Sequence, residues 1–254
     1  MSSRLKYFLI FIAALLVAAL LYMFVLHPTS SAPKTSTTSK KTISTTTNTP
    51  EQPEPEPVPT FNTSTHSVDE PASIWIVANK RRPLNPKTYA PNDLVAVGGG
   101  QQLRSEAADA LQKLIAAAGN EGLTIKPLSG YRSYDRQVSV YGNEVKNYGQ
   151  ATADTQSARP GYSEHQTGLA IDVGGGGCGI EDCFGNTAEG KWVAANSYKY
   201  GFIVRYTDGK EQITGYRAEP WHIRYIGVDL ATEMRKQNVA TLEEFFKLPP
   251  APSY

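Results

Sequence analysis

The chain has 254 residues, 40% of them hydrophobic, which is enough for one sizeable core once an atypical N-terminal segment is set aside. Its 25 basic and 24 acidic side chains give a formal net charge of +1. There is no basic stripe with interleaved aromatic residues, so the composition argues against a nucleic-acid partner.

The first predicted element is a membrane anchor. Residues 7–26 are apolar and carry no charge, and about 20 such residues match the hydrocarbon core of a bilayer. Residues 1–6 would then be cytoplasmic, although the lysines and arginine on the two sides of the span do not decide its orientation. A cleaved signal peptide is the alternative, with a weak cleavage candidate at residues 30–32.

A disordered stalk is predicted at residues 27–71. Ser, Thr and Pro dominate its first half, and apolar side chains are too sparse to compensate for the entropy of ordering a chain. The Pro-rich part at 50–59 should be stiffer and more extended than the Ser/Thr-rich part. The folded domain is therefore predicted to begin at Ala72 and to continue to residue 254.

The predicted elements of this domain do not alternate strictly between strand and helix, so an α+β fold is expected. An apolar face at helical spacing predicts a helix over 103–118. Ser133 should cap a second helix that ends before Gly149 and turns its apolar side chains inward. Further helices are predicted at about 187–200 and at 241–246, and strands at 73–79, 124–128, 168–173, 201–206 and 220–227.

The first segment that carries chemistry is YSEHQTGLAIDVGGGG at 162–177. In a strand over 169–173, Asp172 points to the face opposite the aliphatic side chains. A fully extended connection would place His165 more than roughly 20 Å from Asp172. The two residues can share a metal ion only if the chain turns between them, which Gly168 permits.

The second segment is EPWHIRY, which begins at Glu219. On a regular strand, Glu219 and His222 would point to opposite faces, so their convergence requires a bend. Pro220 can supply that bend and keeps Glu219 out of helical geometry. The two segments together offer two histidines and two carboxylates to one site.

The histidine count supports a metal site, because only four histidines occur and His27 and His66 fall outside the predicted domain. A single histidine or aspartate is more often a core residue or a turn cap, but this combination indicates metal binding. A zinc peptidase uses three protein ligands, an open position for water and a carboxylate base outside the ligand set. The base is then Glu219, and the predicted ligands of one zinc ion are His165, Asp172 and His222.

Two motifs resemble those of a known family. S-x-H-x-x-G-x-A-x-D spans Ser163 to Asp172, and E-x-W-H spans Glu219 to His222. They resemble the D-alanyl-D-alanine carboxypeptidases of the VanY type, within a wider group that includes D-alanyl-D-alanine dipeptidases, lysostaphin-like peptidases and the Hedgehog signalling domain. The resemblance covers about residues 72–235 and implies a small, mostly antiparallel sheet flanked by helices around a single zinc site.

The resemblance also implies roles for individual residues. It assigns zinc binding and general base catalysis to the same residues as the reasoning above. Arg132 matches an arginine that stabilises the transition state, and Gln137 and Ser163 match positions that line the peptide site. The implied substrate is the peptidoglycan stem peptide, from which the terminal D-alanine is removed; no protein partner can be inferred.

Two other functions remain open at this point. The same zinc core could serve an endopeptidase or a dipeptidase that acts on other cell-wall bonds, because only loops separate these activities. A wall-peptide-binding module with an inactive zinc site is the alternative from another class. The presence of Glu219 and Arg132 argues against it, since a structural zinc site ordinarily has a closed shell of four ligands.

The two cysteines, Cys178 and Cys183, follow the predicted metal strand closely. A disulfide across this short loop is expected, in keeping with an oxidising, extracytoplasmic location. Two free thiols or a second metal site are the alternatives, and no histidine lies nearby to support the latter. The sequence therefore predicts a single-pass membrane protein whose catalytic domain lies outside the cytoplasm.

Overall fold

The structure is a computed structural model, and it describes residues 61–254. The predicted anchor at 7–26, and the predicted stalk up to residue 60, lie outside the described part. Among residues 61–254, no helix combines the length and the apolar character that crossing a bilayer would require.

The strands form one central sheet and one small hairpin. Their bounds are β1 (Leu94–Gly98), β2 (Gln101–Arg104), β3 (Lys126–Ser129), β4 (Ala170–Gly174), β5 (Phe202–Tyr206) and β6 (Glu219–Tyr225). β1 pairs with β2, and the remaining strands form an antiparallel sheet in the order β3-β4-β6-β5. The α+β prediction with a small antiparallel sheet is thus confirmed, and β4 and β6 occupy its centre.

Helices pack around this sheet. They are α1 (Ser105–Asn120), α2 (Tyr134–Tyr148), α3 (Gln150–Gln156), α4 (Ala188–Asn196), α5 (Glu211–Thr214), α6 (Val228–Gln237) and α7 (Leu242–Phe245). The apolar face of α1 joins the core of the sheet, where Leu111 and Leu114 are fully buried beside Ile171 and Ile223. The predicted helix at 103–118 is confirmed, but it begins later because Leu103 belongs to β2.

Two other predicted helices are present, but their ends differ from the predicted ones. The segment at 187–200 is α4 followed by a 3-10 turn over Ser197–Tyr200, and it ends at Gly201 as expected. α7 begins with the predicted capping interaction, in which the Thr241 hydroxyl accepts a hydrogen bond from the Glu244 amide at 3.1 Å.

The inward apolar face predicted for α2 is only partly formed, because Tyr141 and Val145 are half-buried and the other two side chains, Val138 and Tyr148, are exposed. Ser133 caps this helix and Gly149 ends it as expected, but Val138 is 47% exposed and Tyr148 is 58% exposed. Only Gln137 is buried. α2 lies along the wall of an open cavity and not over the core, so the side chains on this face remain accessible to water.

The strand predicted at 73–79 is wrong. This segment is buried, yet its backbone carbonyls at Ile74 and Ile76 accept hydrogen bonds from the guanidinium group of Arg224, at 3.0 and 2.8 Å. A side chain therefore occupies the place that a neighbouring strand would take. The β-branched and aromatic residues predicted the burial of this segment correctly. They did not predict that its backbone would be hydrogen-bonded by a side chain and not by another strand.

The folded part begins earlier than the predicted boundary at Ala72. The Phe61 and His66 rings lie 5.8 and 4.8 Å from the ring of Trp75, and Val68 accepts a backbone hydrogen bond from Val77. These contacts include residues assigned to the stalk from composition alone. Single aromatic residues in a polar segment can be held by a core that only the fold assembles.

Candidate metal centre and active site

The pairing of β4 with β6 places Asp172 directly opposite His222. The Asp172 Oδ1 and His222 Nδ1 atoms lie 3.1 Å apart, and both residues are buried. Residues that face each other on antiparallel strands project from the same side of the sheet. The face predicted for Asp172 is therefore the face on which the site is built.

His165 returns to this site through a short 3-10 turn over Glu164–Thr167 that ends at Gly168, whose φ of 68° is left-handed. This is the turn that the sequence required. His165 Nδ1 lies 2.9 Å from the carbonyl oxygen of Gly130, and its Nε2 lies 3.4 Å from Asp172 Oδ2. Because a carbonyl only accepts, Nδ1 carries the proton and Nε2 faces the site with a free lone pair.

A β-bulge brings Glu219 to the same side as His222. Val204 pairs with Ile223, but Tyr206 pairs with Glu219, so β6 has extra residues relative to β5. Glu219 Oε2 lies 3.7 Å from His222 Nδ1 as a result. The predicted bend is thus an irregularity within one continuous strand, and bulges commonly redirect side chains next to active sites.

These residues fit a metal ion. One ligand atom from each of His165, Asp172 and His222 lies within 4.8 Å of the others. Asp172 Oδ1 is buried and has no hydrogen-bond partner among the described residues, so an electron-rich atom is available where a cation would bind. Two imidazoles and one carboxylate are a donor set suited to zinc.

Glu219 lies beside this cluster and does not belong to it. Burial raises the pKa of Glu219 to about 7, although His222 opposes the shift and Asp172 adds to it. A carboxyl group with such a pKa can both accept and release a proton near neutral pH. Its position suits a proton carrier next to the three candidate metal ligands.

Arg132 occupies the wall of the same cavity. Its guanidinium group donates to Ser129 Oγ at 2.9 Å and to Gln137 Oε1 at 2.8 Å, and it lies 3.9 Å from Asp172 Oδ2. These two hydrogen bonds fix its direction. The cavity has a volume of about 580 Å³. It is lined by Arg132 and Ser163, by the three candidate metal ligands and by Glu219.

The structure separates the two residues that were expected to line the peptide site. Ser163 borders the cavity. Gln137 does not: it is fully buried, accepts from Arg132, and donates to the Ala158 carbonyl at 2.7 Å. Gln137 therefore holds Arg132 in place instead of contacting the cavity itself.

Sequence reasoning missed a group of buried charges behind His222. Glu164, Arg205, Arg224 and Glu243 have essentially no exposed surface. The signal was present, since Arg205 lies among the apolar and aromatic residues of β5 and Arg224 lies between Ile223 and Tyr225 of β6, and buried arginines are nearly always paired. What the sequence could not give was the partner of each arginine.

Cys178 and Cys183 lie in the loop after β4 with their sulfur atoms paired and their Cα atoms 6.0 Å apart. Between them, Ile180 borders the cavity, and Asp182 contacts Arg217 on another part of its wall at 3.2 Å. The loop is therefore part of the rim. Whether the thiols are oxidised in the cell stays a prediction.

A ligand set of two histidines and one aspartate, next to a buried glutamate and an arginine in an open cavity, is the kind of site that metal-dependent hydrolases use. Comparison with protein families gives a match between residues 100–228 and the VanY model, described as D-alanyl-D-alanine carboxypeptidase. The chain belongs to this family.

Individual relatives agree with this assignment. A putative carboxypeptidase, YodJ, of Bacillus subtilis is 45% identical over 192 residues, which cover 71% of this chain and 70% of the relative. The solved structure of the LD-carboxypeptidase LdcB, described in connection with peptidoglycan recognition, is 44% identical with a TM-score of 0.65, and the match covers 70% of this chain and 87% of that one. A D,D-pentapeptidase VanY of a VanB-type resistance cassette, in complex with Zn(II), is 34% identical with a TM-score of 0.60, over 67% and 97% of the two chains.

Proposed function

We propose that this protein is a zinc-dependent D-alanyl-D-alanine carboxypeptidase that removes the terminal D-alanine from peptidoglycan stem peptides. The observation that carries the proposal is the convergence of His165, Asp172 and His222 in an open cavity beside Glu219. Family membership and the zinc complex of a VanY relative support the metal and the substrate.

The chain's own residues account for the proton transfers and for charge stabilisation. When bound, zinc supplies a Lewis acid that polarises the scissile carbonyl and lowers the pKa of a water molecule. Glu219 takes a proton from the attacking water as the new C–O bond forms, and it then gives that proton to the leaving D-alanine nitrogen as the C–N bond breaks. Arg132, held by Ser129 and Gln137, stabilises the negative charge that develops on the carbonyl oxygen.

A second candidate is an L,D-carboxypeptidase, which removes a D-residue that follows an L-centre. The specific observation in its favour is identity, which is 44% with the LD-carboxypeptidase LdcB but 34% with the VanY pentapeptidase. The metal ligands and the base serve either reaction. The residues that line the cavity must therefore determine which of the two peptide bonds is cleaved.

One experiment separates these candidates. The purified protein is incubated with a synthetic stem pentapeptide ending in D-Ala-D-Ala and with the tetrapeptide ending in one D-Ala, and the products are identified by mass with and without a chelator. Loss of one D-alanine from the pentapeptide, abolished by the chelator, is expected. Free D-Ala-D-Ala and a cross-linked stem peptide are assayed beside them. Cleavage of the tetrapeptide alone indicates the L,D-reaction, cleavage of the free dipeptide alone indicates a dipeptidase, and cleavage of the cross-linked peptide alone indicates an endopeptidase. Undiminished activity after removal of the metal would refute the zinc-dependent mechanism.

We also propose a location outside the cytoplasm, with residues 7–26 as the membrane anchor. The apolar run, the cysteine pair and a substrate that lies in the cell wall support it. Protease added to intact spheroplasts should digest the catalytic domain, and membrane fractions washed at high salt should retain the full-length chain. Recovery of the full-length chain in the soluble cytoplasmic fraction would contradict this proposal.

A further inference from the structure

Glu164 lies against His222 at the Nε2 atom of its ring, and it also borders the cavity. Its side chain is fully buried, and its Oε2 atom lies 3.4 Å from His222 Nε2. Both of these atoms are buried, and neither has another hydrogen-bond partner among residues 61–254. Two polar atoms that have no other partner and face each other form a ready donor and acceptor pair.

The second oxygen of Glu164 is already fully used. Oε1 accepts from Arg205 Nε at 2.8 Å and from Arg224 Nη1 at 2.9 Å. These arginines are themselves fixed, because Arg205 donates twice to Glu243 and Arg224 donates to the Ile74 and Ile76 carbonyls. Oε2 is thereby left as the free acceptor of a carboxylate whose orientation is fixed by Arg205 and Arg224.

We propose that Glu164 is a positioning residue for the metal site: it accepts a hydrogen bond from His222 Nε2–H and so makes Nδ1 the metal-binding atom. Nδ1 is the nitrogen that faces Asp172 and Glu219, at 3.1 and 3.7 Å. This inference rests on the proposed metal site. A carboxylate behind a ligand histidine fixes its tautomer and ring orientation and makes the ligating nitrogen more basic.

The two histidines of the site are held differently. His165 donates from Nδ1 to a backbone carbonyl, at Gly130, and therefore faces the site with Nε2. His222 has the opposite arrangement and a charged acceptor behind it. Only the second contact can be removed by changing a side chain, which makes Glu164 the position at which the role can be tested.

The competing interpretation is that Glu164 is only a counter-ion for Arg205 and Arg224. Glu243 provides the matched comparison. It is equally buried and bonds the same Arg205, but its other contact is Asn79 and it does not touch His222. A variant at Glu243 disturbs the buried charges without disturbing the histidine.

Glu164→Gln and Glu243→Gln are compared with the wild type in the full-length protein by competition for zinc with a chromophoric chelator. Unfolding of each metal-free protein is measured in parallel. Both variants should be less stable, but only Glu164→Gln should bind zinc more weakly, by about 10- to 100-fold. Wild-type zinc affinity in folded Glu164→Gln, or an equal loss in Glu243→Gln, would overturn the proposal.

A measurement on the wild type covers the case in which Glu164→Gln does not fold. Nitrogen chemical shifts of the His222 ring in the zinc-loaded protein should show a protonated Nε2 and a metal-bound Nδ1. The reverse assignment would refute the positioning role even if zinc binds normally. Failure of the wild type to bind zinc at all would instead refute the proposed function, so the two failures are distinguishable.

Discussion

Two groups of charged residues contact His222, and they differ in how completely their members are hydrogen-bonded. On the cavity side, Asp172 keeps a buried oxygen without a hydrogen-bond partner in the described structure, and the Glu219 carboxyl has a raised pKa. On the other side, Arg205 makes three hydrogen bonds to two glutamates at 2.8 to 2.9 Å and has no exposed surface. The first group is underpaired and the second is nearly saturated.

The difference shows where charge is available for chemistry. Underpaired groups can bind a cation or exchange a proton, because the nearest neighbour of Asp172 Oδ1, His222 Nδ1 at 3.1 Å, is itself a predicted metal ligand. Saturated groups cannot do either, but removal of one partner leaves an uncompensated buried charge, which is costly. Variants on the cavity side should therefore affect zinc binding or turnover, and variants on the sealed side should first affect the free energy of unfolding.

The largest effect is expected from removing a metal ligand. His222→Ala should abolish one-to-one zinc binding and reduce hydrolysis to background, because two ligands hold the ion too weakly. Metal content after dialysis and product formation are measured together. His66→Ala, which changes a ring packed on Trp75, serves as the control and should keep both. One-to-one zinc in His222→Ala would overturn the ligand assignment.

The base should behave differently from the ligands. Glu219→Gln is expected to bind zinc normally and to lower kcat by about 10²- to 10⁴-fold, since proton transfer is lost while the metal site is kept. Zinc content and steady-state kinetics test this separation. Normal turnover would remove Glu219 from the mechanism, and loss of zinc would place it among the ligands.

Arg205→Met tests the group of buried charges formed by Glu164, Arg205, Arg224 and Glu243. Glu164 and Glu243 would lose their shared counter-charge, and the expected loss in the free energy of unfolding is about 3–5 kcal/mol. Urea unfolding of the metal-free protein provides the measurement. Lys236→Met removes an exposed lysine that lies 3.6 Å from the half-buried Glu233, and it should leave stability nearly unchanged. Equal effects of the two substitutions would show that burial does not separate these ion pairs.

Arg132→Lys keeps the charge and loses the fork of donors that contacts Ser129 and Gln137. The variant should fold and bind zinc, yet lose about 2–4 kcal/mol of transition-state stabilisation. The loss should be in kcat, because a rise in KM alone would indicate ordinary substrate anchoring. Near-normal kcat/KM in Arg132→Ala would contradict both roles.

The smallest effect is expected at the rim. A disulfide between Cys178 and Cys183 closes a very short loop, with a sequence separation of 5, so the chain-entropy model gives only about 2 kcal/mol. Unfolding with and without a reductant measures this difference, and the Cys178→Ser/Cys183→Ser variant is the control that should not respond. Alkylation of both thiols in the unreduced native protein would refute the disulfide.

The sequence was informative wherever a local pattern has one structural meaning. The periodicity of α1 predicted a helix, and Ser133 and Thr241 predicted helix starts, because capping depends on neighbours in the chain. The position of Asp172 on the polar face of β4 followed from the two-residue period of a strand. The need for a turn between His165 and Asp172 followed from chain length alone.

Tertiary structure decided which groups meet, because contacts between distant segments depend on strand register and not on local pattern. The bulge that turns Glu219 toward His222 exists only through the pairing of β6 with β5. Gln137 on α2 was expected at the peptide site, but the fold places it against Arg132. Glu164 stands next to a predicted ligand in sequence, yet its own partner is the other histidine, 58 positions away by number, reached only once the sheet has assembled.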